Sequence, residues 1–268
     1  MSSRVEATLD ACRTEGRGAL VGYLPLGFPS IDESIEAAVA LVENGADILE
    51  LGLPYSDPVM DGLVIQQATE KALANGFRLR DAFGAVKEIT DRVSAPVLVM
   101  TYWNPVVQYG VEKFARDLKQ AGGAGLITPD LIPDEAQQWI DASDKHDLDR
   151  VFLAAPSSTD TRLAETIRVS RGFVYAVSTM GITGARADVD TAAHNLVSRL
   201  RNAGAKHVGV GVGISTREQV VEVLDYAEGA IVGSAIVSAL GDSGVSGVAS
   251  IAARLSGRSE VQGVARHT

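Results

Sequence analysis

Eight short, almost wholly apolar runs, each followed by a helical stretch, constrain the fold of this 268-residue chain more than any other feature. Strands are predicted at 18–23, 48–53, 96–102, 124–128, 150–155, 172–178, 207–211 and 229–232. Runs this apolar suit a parallel sheet covered on both faces. A short helix at 6–15 leads. Ser30 and Glu33 form a capping-box pattern opening a helix through Ile35, Val39 and Val42 to the Asn44-Gly45 stop. Further helices are predicted at 63–74, 79–93, 111–121, 134–145, from Thr159 or Asp160, at 192–202 and at 216–226. Such alternation, with short connections and no domain-sized shift in composition, predicts an α/β fold, a closed (β/α)₈ TIM barrel with a leading helix. One domain at 1–255 and a polar, small-residue tail at 256–268 that frays complete the expectation. An open doubly wound sheet is the alternative.

Composition excludes several classes of function. A net charge of −10 is the wrong sign for a nucleic-acid surface. Cys12 is the only cysteine, so there is no disulfide framework, and a reducing, cytoplasmic setting is expected. Residues 1–17 carry charges throughout and lack the apolar centre of a signal peptide. No run reaches the roughly 18 apolar residues of a membrane span, so no membrane association is expected. The histidines at 146, 194, 207 and 267 are scattered, and no metal site is predicted. The first strand lacks a dinucleotide fingerprint, and no strand-end lysine is present for Schiff-base chemistry.

What remains is acid–base chemistry, and one stretch carries it. Residues 47–62 read Asp-Ile-Leu-Glu-Leu-Gly-Leu-Pro-Tyr-Ser-Asp-Pro-Val-Met-Asp-Gly, with Glu50 inside the apolar strand. Burying an ionised carboxylate costs several kcal/mol at least, so Glu50 must be paired, hold its proton unusually long, or face a ligand cavity. Asp57 and Asp61 follow the strand's C-terminal end, where α/β sites are built. The residue types leave other roles open: a strand glutamate also serves in structural ion pairs, and Asp-Pro and Asp-Gly are turn dipeptides.

Gly211-Val-Gly213-Ile-Ser-Thr216 closes the seventh strand and Gly233-Ser234 the eighth. Backbone N–H groups at these two places form the phosphate cup of many barrels, without need of a lysine. The loop at 178–190 holds Gly181, Thr183 and Gly184 and has the composition of a lid. Tyr23, Met100, Tyr102 and Tyr175 lie near strand ends and suit a flat apolar ligand, although core packing accounts equally for each.

These residues together resemble the α subunit of tryptophan synthase, over nearly the whole span 18–240. The motifs that carry the resemblance are the Glu50–Asp61 stretch, Ser178-Thr-Met-Gly-Ile-Thr-Gly184, Gly211-Val-Gly-Ile-Ser and Gly233-Ser-Ala-Ile-Val. The resemblance implies a barrel that cleaves indole-3-glycerol phosphate to indole and glyceraldehyde 3-phosphate with no cofactor of its own. It implies Glu50 as the acid/base at indole C3 and Asp61 as the group opposite the indole N–H. Tyr23, Met100, Tyr102 and Tyr175 would lie at the substrate, Thr183 in the lid, and Gly184, Gly213, Gly233 and Ser234 at the phosphate. A pyridoxal-phosphate-dependent β subunit in an αββα complex is the implied partner, with Asp57, Pro58, Asn104 and Pro105 coupling to it. Thr179-Met180, Val212 and Ile132 depart from the family pattern. A stand-alone lyase and a non-catalytic phosphate-binding regulatory barrel are the alternatives.

Overall fold

Alternation along each strand sorts the apolar side chains of the barrel into two cores. The computed structural model describes residues 3–177, 186–211 and 213–258. Its strands are β1 (Ala19–Pro25), β2 (Ile48–Gly52), β3 (Val97–Met100), β4 (Gly125–Thr128), β5 (Asp149–Ala154), β6 (Val174–Val177), β7 (Val208–Gly211) and β8 (Gly229–Val232), and they close in sequence order. Every neighbouring pair is parallel, and β8 returns to pair with β1. The closed barrel, not the open sheet, is the architecture.

The helices are α1 (Arg4–Thr14), α2 (Ile31–Glu43), α3 (Leu63–Ala74), α4 (Leu79–Arg92), α5 (Trp103–Tyr109), α6 (Val111–Gln120), α7 (Gln137–His146), α8 (Asp160–Val169), α9 (Arg186–Asn202), α10 (Arg217–Leu224) and α11 (Ser234–Ser256). Outward-facing residues such as Leu24, Leu49, Leu51, Val99 and Val210 meet these helices in the larger core. Inward-facing Val21, Ile48, Leu98, Ile127, Val151, Phe173 and Ile231 fill the barrel itself. Inward glycines make room there: the space where a Cβ at Gly209 would stand is taken by the Phe173 ring, 2.9 Å away.

The leading helix closes the barrel's N-terminal end. Val5, Leu9 and Cys12 of α1 complete the inner core, and polar contacts pin the helix at both ends. Ser3 caps it, accepting from the Glu6 N–H at 3.0 Å and donating to Asp149 Oδ2 at 2.7 Å. At the far end Asp10 Oδ1 lies 3.1 Å from Nε2 of His207. Burial raises the pKa of Asp149, which the Ser3 hydroxyl and Arg171 oppose. His207 thus works in a structural pair remote from the barrel's C-terminal face, as His146 does beside Glu112 at 2.8 Å.

Three elements differ from the sequence reading. Residues 103–109, to which the sequence reading assigned no element, form α5, with Tyr102 at the N-cap. Proline is tolerated in a first turn, where its missing N–H has no intrahelical partner anyway. The helix expected from residue 134 begins as a 3₁₀ turn, Pro133–Glu135, and becomes α-helical only at Gln137. The statement that no run reaches membrane length is also corrected. Ser234–Ser256 is long and apolar enough by composition. It is a packing helix instead, broken at Gly244 (φ 62°, ψ −154°), with Ile236, Val237, Leu240, Val248, Ile251 and Leu255 buried. Its end is tied to α2, Ser256 Oγ donating to the Asn44 carbonyl at 3.0 Å.

Candidate active site

Parity places Glu50 inside the barrel. In the parallel register Tyr23 pairs with Glu50 and Glu50 with Leu98, so the three side chains face one way, inward. Ile48 sits one step below Glu50 in the inner core, and Met100, Leu153 and Tyr175 form its rim. These three are inward-facing yet partly exposed, which marks an open cavity at the barrel's C-terminal mouth. Leu153 was missed from sequence. Its signal exists only once β5 is in register with β6, where Leu153 pairs with Tyr175.

Glu50 is 1% exposed, and its Oε2 finds no hydrogen-bond partner among the described residues. Of the three fates open to a strand carboxylate, ion pairing is therefore not the one the described residues supply. Burial, reinforced by the charge of Asp61, pushes the Glu50 pKa up to about 8. Asp61 lies in the loop between β2 and α3, half-buried, and burial raises its pKa to about 6. Near pH 7 the first group keeps its proton and the second is mostly ionised. Environments that split two carboxylates in this way assign one as acid and the other as fixed charge.

Tyrosines surround the pair. The Tyr23 hydroxyl occupies the space above Gly52, 2.2 Å from where a Cβ would stand, and the Tyr175 hydroxyl does the same over Gly211 at 2.6 Å. Glycine is required at both positions by this close approach. Burial, with the charges of Asp61 and Glu50, raises the Tyr23 pKa well above the usual phenol value, and burial and Glu50 do so for Tyr175. Both remain neutral walls. Tyr102, buried at the N-cap of α5, accepts a hydrogen bond from the Met60 N–H at 2.8 Å.

The Asp61 loop is held from α3 as well. Gln66 Nε2 donates to the Asp61 carbonyl at 2.8 Å, and the Asp61 N–H donates to the Pro58 carbonyl at 3.1 Å. Gln66 was also missed, because a glutamine on a helix carries no positional signal in sequence.

The two glycine turns are not equivalent. Thr216 and Gln219 cap α10 reciprocally, and Gln219 Oε1 also takes the Ser215 N–H at 2.7 Å, so that helix start is already satisfied by its own side chains. At α11 the N-cap is Gly233, which offers no side chain and leaves the first-turn N–H groups of exposed Ser234 and of Ala235 facing outward. Gly213, exposed, takes a left-handed φ of 69°. An anion at this face would find α11 the open N-terminus.

At the rim, Asp57 and Asn104 are exposed and Pro58 and Pro105 half-buried. Asn104 Nδ2 donates to the Tyr55 hydroxyl at 3.2 Å, which joins the loops after β2 and β3. On the segments that follow β2, β3 and β4, apolar side chains not anticipated from sequence stand exposed: Val59 is 81% exposed and Leu63 75%, and Met60, Val107 and Ile132 are exposed as well. Of the remaining sequence expectations, Thr183, Gly184, Thr179, Met180 and Val212 lie outside the described residues.

Comparison with known proteins identifies the family and agrees with the barrel fold. The family model described as tryptophan synthase alpha chain matches residues 9–261. The tryptophan synthase alpha chain of Leifsonia xyli subsp. xyli is 66% identical over 261 residues, covering 97% of this chain and all of the relative. Among solved structures, tryptophan synthase from Mycobacterium tuberculosis superimposes with a TM-score of 0.90 at 52% identity, over 96% of this chain and 98% of that one. A tryptophan synthase complex from Pyrococcus furiosus gives 0.82 at 35%, over 90% and 98%.

Proposed function

The chain belongs to the tryptophan synthase alpha chain family, and on that footing we propose how its residues divide the lyase reaction, cleavage of indole-3-glycerol phosphate to indole and glyceraldehyde 3-phosphate. Glu50, protonated near neutrality, delivers its proton to indole C3 and turns the ring into an indolenine electron sink. Asp61, ionised, faces the ring nitrogen and offsets the positive charge that develops there. The Glu50 carboxylate so formed then takes the proton of the C3′ hydroxyl. The bond between indole C3 and C3′ breaks, its electrons restore the aromatic ring, and Glu50 ends as it began.

The observation that carries this reading is a buried Glu50 whose Oε2 has no hydrogen-bond partner among the described residues, together with the split between the two carboxylates, Glu50 near 8 and Asp61 near 6. Both proton transfers run between Glu50 and the substrate, so the reading calls for no cofactor in this subunit. Tyr23, Met100, Tyr102 and Tyr175, joined by Leu153, wall the indole. Thr183 and Gly184 close over the glycerol phosphate, which Gly213, Gly233 and Ser234 receive. The catalytic unit in this reading is the single barrel of residues 1–255, and its setting is the cytoplasm.

The phosphate assignment has a clean test at Gly233. Its φ of −118° is not left-handed, and an added Cβ would meet Tyr23 at 3.5 Å, ordinary contact. Gly233→Asp is expected to fold normally and to weaken glycerol-phosphate binding by at least about tenfold, since a carboxylate then occupies the mouth of the α11 N-terminus. Calorimetric titration measures this directly. Undiminished affinity would move the phosphate elsewhere.

Family membership implies a β subunit as partner, which the reading takes to be pyridoxal-phosphate-dependent and arranged with this chain as αββα. Indole is small and apolar, and it is best passed on across the face where it forms. The exposed apolar side chains of Val59, Met60, Leu63, Val107 and Ile132, all on segments that follow the C-terminal ends of β2, β3 and β4, support docking there, with Asp57, Pro58, Asn104 and Pro105 on the same connections. Coupling between sites amounts to about 1–3 kcal/mol. Turnover is accordingly expected to rise about tenfold or more with saturating β subunit, and Asp57→Ala to lower that rise more than it lowers the basal rate. Indole formation across a β-subunit titration decides it; equal rates at zero and saturating partner would mean a self-sufficient lyase.

A further inference from the structure

We infer that Tyr102 is a positioning residue for Asp61, and that Tyr55 ties its position to the docking face. The inference rests on the assignment of Asp61 to the indole nitrogen. It concerns what holds that carboxylate in place.

The segment from Leu53 to Gly62 has no helix or strand of its own, and Val59 and Met60 within it project into solvent. Its placement therefore depends on a few polar contacts. Next to Asp61, two lie on its own side of the cavity: Gln66 on the Asp61 carbonyl and the Pro58 carbonyl on the Asp61 N–H. Another crosses over. Tyr102, which arises after β3, accepts the N–H of Met60, the residue immediately before Asp61, at 2.8 Å. A phenol that accepts in this way keeps its own proton free to donate. Burial, with nearby Asp61 among the opposing charges, holds Tyr102 neutral up to about 12. The contact is thus unchanged across the working range of the site.

Behind Tyr102 the arrangement continues to the rim. The Tyr55 ring lies against the Tyr102 ring with centroids 5.2 Å apart and planes inclined by 32°. The Tyr55 hydroxyl accepts from Asn104 Nδ2 at 3.2 Å, and Asn104 is exposed in the first turn of α5. An unbroken series of contacts, Asn104 to Tyr55 to Tyr102 to Met60, therefore ends one peptide bond from Asp61. A partner covering Asn104 and the exposed side chain of Met60 grips this series at both ends and restrains the carboxylate between them. Misplacing a catalytic group by about 1 Å costs on the order of a hundredfold in rate, so a contact worth little to stability matters to turnover.

Tyr102→Phe separates this role from that of a substrate wall, because it keeps the ring and its stacking on Tyr55 and deletes only the oxygen. In the complex with the β subunit, kcat is expected to fall about tenfold with KM changed less than threefold. In the lone subunit, the Met60 amide is expected to exchange with deuterium at least tenfold faster, while the amides of β1 and β2 keep their protection. Tyr55→Phe, which loses the Asn104 bond, is expected to reduce acceleration by the β subunit at least threefold. Unchanged Met60 exchange in Tyr102→Phe overturns the inference, as does a rise in KM with kcat held, or full acceleration in Tyr55→Phe. Failure of the parent protein to form indole would instead sink the assignment of the reaction, and the amide measurement distinguishes the two because it needs no turnover.

Discussion

Glu50→Gln is expected to lose indole formation by at least about a thousandfold, because general acid–base groups contribute roughly 10²–10⁴ and this one serves two transfers in turn. Substrate affinity should survive, since the amide has the same shape. The same variant is expected to be more stable than the parent at pH 8. In the unfolded chain Glu50 ionises near its ordinary value of 4.5, whereas the folded barrel raises it to about 8. Between those values the unfolded state has released a proton that the folded state retains. The parent therefore loses stability as pH rises through that window, by at most about 1.4 kcal/mol per pH unit. Glutamine does not titrate. Urea unfolding of both proteins at pH 5 and pH 8 should show a gap that widens by about 2–4 kcal/mol. A constant gap would mean that Glu50 is paired, and near-parental turnover would end its role as the acid.

The pH profile of kcat/KM gives the second large effect. Catalysis needs Glu50 protonated, below about 8, and Asp61 ionised, above about 6, so a bell between those limits is expected, its limbs belonging to the interacting pair as a whole. Asp61→Asn should lower turnover by about a hundredfold or more while substrate still binds, as removing an electrostatic stabiliser does. It should abolish the acid limb. It should also move the basic limb to lower pH, since the Asp61 charge is one of the two causes that hold Glu50 up. The limb should stay well above the ordinary glutamate range, because burial, the larger cause, is untouched. A profile of unchanged shape in Asp61→Asn would separate the two carboxylates and with them the division of labour.

Such a variant series reads a site whose address was plain early. Residues 47–62 combine an apolar strand with four carboxylates, and that conflict between burial and charge is visible in a one-dimensional pattern. The cup was harder. Gly213 and Gly233 look alike in sequence, and only the Gln219 cap on α10 shows that α11 is the open helix start. Tyr102 presented itself as an aromatic near a strand end, one of several. Its hydrogen bond to Met60 spans 42 positions of chain, and no local spacing encodes it.

Strand and helix periods, turn residues and caps are local, so the order of elements and the expectation of a (β/α)₈ barrel follow from the chain alone. The pairing of β8 with β1 that decides against an open sheet, and the register that turns Glu50 inward, belong to the tertiary structure. Residues 103–109 gave no such local signal, and the helix α5 there appears only in the folded chain. Proton affinity and exposure are not local. Whether Glu50 or Asp61 holds its proton at neutral pH depends on burial supplied by all the strands at once, which divides two chemically similar side chains into acid and counter-charge. Likewise Val59 and Leu63 are apolar letters like any others until the barrel closes and leaves them outside it, on the face where the cavity opens. The tertiary structure decided those matters, because desolvation and contact are properties of neighbours in space.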